Sequence, residues 1–139
     1  MIKRLILTIC LLAIFSLQAQ TLHLYAGDDH TIYLGCLNCS NYDKDSIWNE
    51  YGIYGNTYNG NSIWNDYGKY GNSYNTTCPW NSYASKPPVV VDKEGNFYGY
   101  FAVNEYQSKR ANFDLALIIY KYHNEIKKDV GAWYDEIFK

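Results

Sequence analysis

The chain has 139 residues, enough for one domain and too few for two. Its 12 basic and 14 acidic residues give a formal net charge of −2, which disfavours nucleic acid and anionic lipid as partners, because both reward a basic face. An aromatic content of 18%, with 16 Tyr and 4 Trp, excludes a disordered chain, since disorder goes with few aromatics.

At the N-terminus, Lys3 and Arg4 precede an apolar run from Leu5 to Leu17, followed by Gln18-Ala19-Gln20. This predicts a secretory signal peptide over 1–19, with Ala19 the last residue removed. The apolar run falls short of the roughly 20 residues a membrane span needs. Cys10 follows Ile9 rather than the small residue of a lipobox. The expectation is a secreted or periplasmic protein, 20–139, with no stable membrane insertion and no nucleic-acid partner. Loss of Lys3 and Arg4 leaves 10 basic against 14 acidic residues, a net charge of −4.

The mature part reads in order as a hairpin over 22–39, tandem repeats over 42–84, a second hairpin over 88–104 and a helical end over 111–138. In "LHLYAGDDHTIYLGC" two short strands flank a turn at Asp28 and Asp29. "VVVDKEGNFYGYFAV" is a hairpin turning at Lys93 to Asn96, after Pro87 and Pro88 mark the exit from the repeats. Phe113, Leu117 and Tyr120 then fall on one helical stripe, with Leu115, Ile118, Ile119, Tyr122 and Ile126 beside it. Asp129 can cap a last helix whose apolar face is Val130, Trp133, Tyr134, Ile137 and Phe138. These stripes read as core. The fold class is α+β: a small antiparallel sheet of two hairpins flanking a turn-rich repeat array, with C-terminal helices.

The repeat has a period of 16 residues. Trp48, Trp64 and Trp80 align, as do Asn49, Asn65 and Asn81, and then Tyr51, Tyr67 and Tyr83. Tyr54 aligns with Tyr70, Gly55 with Gly71, and Tyr42 with Tyr58 and Tyr74. Ser46 and Ser62 stand where a helix N-cap would, and Gly52 and Gly68 where a left-handed C-terminal residue would. In the third copy Pro79 takes the first helical position, where proline fits. Each unit therefore reads as a capped helical turn, a glycine turn and a short extended return. Stacked units would bury the tryptophans together and set the asparagines in a ladder.

At "YLGCLNCSNYDKDSIWNEYGIYG" the chain resembles a group of uncharacterised small secreted bacterial proteins. These are similar in having a C-L-x-C segment, S-x-W-N-x-Y-G-x-Y-G units and a P-P-V-x-V-D-x-x-G-x-F-Y-G-Y hairpin. Similar segments occur behind secreted trypsin-like peptidase domains, which implies an accessory module. The likeness covers Leu22 to Asn104 and brings no activity with it. A Ser-Pro usually stands there in place of Cys78-Pro79.

Three cysteines remain after export, Cys36, Cys39 and Cys78. Cys36-Leu37-Asn38-Cys39 follows a strand pattern rather than opening a helix, so a structural disulfide is expected over a redox pair. It joins Cys36 to Cys39, or one of them to Cys78. Zinc on these cysteines with His23 or His30 has scattered spacing, and no metal or other cofactor is expected. Asp43, Asp45, Asn49 and Glu50 alternate as calcium ligands can, but lose charge in the later units; turn chemistry explains them better. His23, His30 and His123 lie in no catalytic motif, so no enzyme is expected. Eight tyrosines between Tyr42 and Tyr83 are too many for so small a stack to bury. The expected function is a binding module for cell-envelope glycan or another secreted protein. Its ligand surface is expected at Tyr51, Tyr54, Tyr58, Tyr67, Tyr70 and Tyr74. The alternative is a structural or accessory domain that docks a partner through its C-terminal helices.

Overall fold

The computed structural model describes residues 20–139; the expected signal segment, 1–19, lies outside the described residues. Strands β1 (His23–Ala26) and β2 (Ile32–Cys36) form one antiparallel hairpin, and β3 (Val89–Val91) and β4 (Phe97–Tyr100) form another. β1 also pairs antiparallel with β3, which merges the hairpins into one sheet of order β2-β1-β3-β4. With helices α1 (Asp114–Ile126) and α2 (Val130–Phe138), the fold is α+β. Alternation assigns the two faces. Leu24, Ala26, Leu34 and Val90 are fully buried on the inner face, while His23, Tyr25, Tyr33, Val91 and Tyr100 are half-buried on the outer one.

The repeats, between β2 and β3, hold no helix and no extended return, contrary to the sequence reading. Each is a string of tight turns. The backbone N–H of Asp43, Ser46, Asn49 and Gly52 each donates to the carbonyl three residues earlier, and that of Asn56 reaches back four, to Gly52. Four steps of three and one of four make the 16-residue period, and the next coil repeats them from Asn56 through Asn59, Ser62, Asn65 and Gly68 to Asn72. Most corner residues are Ser, Asn or Asp, whose side-chain oxygen accepts the N–H two residues on: Ser46 Oγ from Trp48 at 3.0 Å, Asn49 Oδ1 from Tyr51 at 3.1 Å, Asn56 Oδ1 from Tyr58 at 2.8 Å. The chain turns again at Asn49 because that side chain and its own carbonyl both close turns, which stops a helix from propagating.

Two further expectations are corrected. The asparagines do not form a ladder between coils. Asn65 Nδ2 donates 3.0 Å to the Asn59 carbonyl and Asn81 Nδ2 3.0 Å to that of Asn75, so each staples its own coil. Gly52 and Gly68 are not left-handed. Glycine is demanded by close approach instead: a Cβ on Gly55 or Gly71 would stand 2.1 or 2.0 Å from the carbonyl oxygen of Asn49 or Asn65.

The tryptophans stack as expected. Ring centroids of Trp48 and Trp64 are 5.8 Å apart, and those of Trp64 and Trp80 5.6 Å. Each indole N–H donates to a carbonyl of the preceding layer: Trp48 to Leu37 at 2.7 Å, Trp64 to Ile47 at 2.7 Å, Trp80 to Ile63 at 2.6 Å. The helices close the column. His123 of α1 stacks on Trp80 at 4.5 Å, Tyr134 and Phe138 of α2 pack on Trp48, and Lys127 bonds Asp66 at 2.6 Å. Asp129 caps α2 as expected, accepting from the Ala132 N–H. Of the α1 stripes, Ile119, Tyr120 and Ile126 are buried, whereas Leu117 and Ile118 face outward.

The glycines separate close approach from mere flexibility. Gly71→Ala is expected to lower stability by at least about 2 kcal/mol, because backbone must move. Gly60, with negative φ and open space around its Cβ position, is expected to gain about 0.4–1 kcal/mol as Gly60→Ala. Urea melts of both variants check this.

Candidate functional site

The i+2 position of the corner turns carries the exposed tyrosines. Tyr42, Tyr58 and Tyr74 recur at one corner of successive coils, and Tyr51, Tyr67 and Tyr83 at another. All six are between 88% and 95% exposed. Among the described residues none of these rings packs against another aromatic ring, and each is almost wholly exposed to solvent. The turn beneath each is held by backbone and by its Asn or Ser, so the fold does not need the ring. Large aromatic side chains set out in this way make this surface the candidate site.

Two residues expected on this surface are not on it. Tyr70 is buried, 4% exposed, and belongs to the core cluster. Tyr54 is half-buried, its ring 5.0 Å edge-on from Tyr33 of the sheet. Both stand in the Gly-x-Tyr-Gly segment, where the four-residue step turns the side chain inward. The structure leaves Tyr51, Tyr58, Tyr67 and Tyr74 exposed, and adds Tyr42 and Tyr83 by the same period.

The sequence reading missed the outer face of the sheet. There a groove of about 920 Å³ is lined by His23, Tyr25, Tyr33, Val91, Phe97 and Tyr100, among others. Tyr25 and Tyr33 are cross-strand partners with ring centroids 5.2 Å apart, and Phe97 and Tyr100 meet edge-on at 5.3 Å. His23 is held in place by Tyr33 Oη at 2.7 Å and Thr21 Oγ1 at 2.9 Å. Its pKa is lowered, chiefly by burial and then by Lys93. Burial also pushes the Tyr33 hydroxyl well above its ordinary value. Asp92, at the β3–β4 turn, accepts from the backbone of Glu94 and Asn96, the Asn96 amide and the Tyr98 hydroxyl. Its carboxylate is therefore fully occupied.

The disulfide joins Cys36 to Cys39, the first of the pairings considered. Cys78 is free and buried. It takes the corner held by Ser46 and Ser62 in the earlier coils, its Sγ accepting the Trp80 N–H at 3.4 Å where they use Oγ. Burial pushes its thiol up to about 11, which suits a packing role and not a nucleophile. Among the described residues no cluster of three or more His, Cys, Asp or Glu could hold a metal. Asp43 and Asp45 spend their oxygens otherwise: Asp43 caps the Asp45 N–H at 2.8 Å and Asp45 pairs with Lys44 at 3.1 Å. No protein-family model, curated protein or solved structure matches the chain.

Two outcomes follow from these side chains. Cys78→Ser restores the hydroxyl of the other coils and should change stability by less than about 1 kcal/mol, while the native thiol stays unreactive to Ellman's reagent. His23 and His123 both have a pKa lowered from 6.5, first by burial. Between the folded and unfolded values the unfolded chain binds more protons, so folding stability rises with pH up to about 6.5 and falls on acidification below it. Denaturant melts from about pH 5 to about pH 7.5 should show this slope, and His123→Gln should reduce it.

Proposed function

We propose that the protein is a non-catalytic exported module that binds cell-envelope glycan, or failing that another envelope protein, through the tyrosine rows of its repeats. One observation carries this reading: six tyrosines about 90% exposed stand at two recurring corners of a scaffold that does not need them for folding. Flat amphipathic rings with two side-chain torsions lose little entropy on contact. They can pack on the apolar face of a sugar ring while the phenol bonds its hydroxyls. A regular scaffold suits a polymer that is itself periodic. The Cys36–Cys39 bridge agrees with an oxidising compartment, and no helix among the described residues is long and apolar enough to cross a membrane.

The rival reading, a partner-docking domain working through its helices, has less support. Ile119, Tyr120, Ile126 and Val130 are spent on the core, and only Leu117, Ile118 and Phe138 keep sizeable apolar exposure. Truncation after Asn104 would strip the cover from the tryptophan column rather than isolate a binding half.

The mature chain, 20–139, is expected to be retained by peptidoglycan sacculi or insoluble polysaccharide and to be competed off by soluble fragments of the same glycan. Tyr58→Ser with Tyr74→Ser should abolish retention, with each change altering stability by no more than about 0.5 kcal/mol. Full recovery in the supernatant, or retention unmoved by those changes, would sink the proposal.

A further inference from the structure

Only two non-glycine residues among those described have positive φ: His30 at 56° and Lys109 at 53°. Their placement is not scattered. Both line the outer-face groove of the sheet, and both also line a smaller cleft of about 440 Å³ at its end, with Tyr100 common to the two. His30 closes the β1–β2 turn, its ring centroid 6.2 Å from that of Tyr100. Lys109 is fixed by the Tyr100 N–H, which donates to its carbonyl at 2.9 Å, where the chain crosses Gly99. Glycine would meet either backbone demand without strain. A side chain kept at both positions, at one end of one groove, points to a role for those side chains.

Charge narrows the occupant. Among the described residues Lys93 and Lys109 have no carboxylate partner, and the His30 ring makes no hydrogen bond. Of the two acids lining the groove, Asp45 pairs with Lys44, while Asp92 keeps its charge but spends its oxygens on neutral donors of its own turn. Lys93 and Lys109 border opposite ends of β4, a four-residue strand, so their loops stand on the order of 10 Å apart. Between them the groove offers the rings of Tyr25, Tyr33, Phe97 and Tyr100.

We infer that this groove binds an acidic polysaccharide, its sugar rings packed on Tyr25, Tyr33 and Tyr100 and its carboxylates paired with Lys93 and Lys109, with His30 donating to the carboxylate beside Lys109. The site is separate from the tyrosine rows of the repeats and is sized for a short run of sugars. Aromatic rings alone would accept neutral sugars and apolar peptides; two unpaired ammonium groups at the ends select for repeated negative charge. The attraction is exposed and should weaken with salt.

Titration calorimetry of the 20–139 chain with tetramers of galacturonic acid and with neutral cellotetraose tests this. Binding of the acidic oligomer alone, weakening as salt is added, is expected. His30→Gly with Lys109→Gly should lower that affinity about ten-fold or more while the Tm holds or rises, since both changes relieve left-handed backbone. Lys109→Arg should keep most of it. Tyr58→Ser with Tyr74→Ser should leave it unchanged while removing retention on sacculi. Equal binding of both tetramers, no binding of either, or preference for a length-matched acidic peptide would overturn the groove assignment, and so would a double-glycine variant that binds as tightly as the native chain. Sacculus retention lost only with the row tyrosines would leave the repeat reading standing in each of these cases.

Discussion

The hydrogen bond from an indole N–H to the carbonyl of the coil before it is the constraint on which this fold rests. Every other hydrogen bond within 40–84 spans eight residues or fewer, closing a turn or stapling adjacent turns. Trp64 to Ile47 and Trp80 to Ile63 are the links that pass from coil to coil, with Trp48 to Leu37 tying the first coil to the residue after β2. The array is thus unlike a sheet-built solenoid, where backbone ladders join successive rungs. Here one side chain both fills the interior and supplies the polar bond. Loss of the indole nitrogen would leave a buried carbonyl unpaired and loosen two coils at once.

That arrangement explains the residue economy of the repeat. Since backbone groups are satisfied locally, each corner needs a short side chain with an acceptor, and Ser, Asn and Asp fill that role. Position two past the corner is then free to vary, because its N–H is already bonded. At one corner of a coil it is Trp turned inward, and at two others it is Tyr turned outward. The same backbone solution thus serves the core and the surface.

Much of this was legible in the sequence, and the failures have definite causes. The period, the tryptophan stack, both hairpins and the cap at Asp129 follow from local patterns, whereas for the disulfide Cys36–Cys39 is only one of the pairings the sequence allows. The helical reading of the units failed because Ser at one end and Gly at the other punctuate a helix and a chain of turns alike. What separates them is the recurrence of Ser, Asn, Asp or Gly at every third position from Ser40 to Gly52, a spacing that leaves no stretch long enough to propagate. Tyr54 and Tyr70 look equivalent to the other tyrosines as letters; only the four-residue step turns them inward. The sheet-face groove had no local signature, since it exists only once β1 pairs with β3 and brings residues 23 to 109 onto one surface.

The C-terminal segment runs down the tryptophan column against the order of the coils. His123 meets Trp80 of the third coil, Lys127 meets Asp66 of the second, and Gly131 lies against Glu50 of the first. These contacts fall four residues apart, with His123 in α1, Lys127 just past its end and Gly131 in α2, so each step of four residues reaches the coil before. The C-terminal segment therefore acts as a gauge of the array, with Tyr134 and Phe138 of α2 closing the column at Trp48. A tandem duplication of one unit in the gene would be accepted by the coil backbone yet would outrun the gauge and leave an indole bare. The number of coils is set by the length of the segment that covers them, and selection on either part is selection on both.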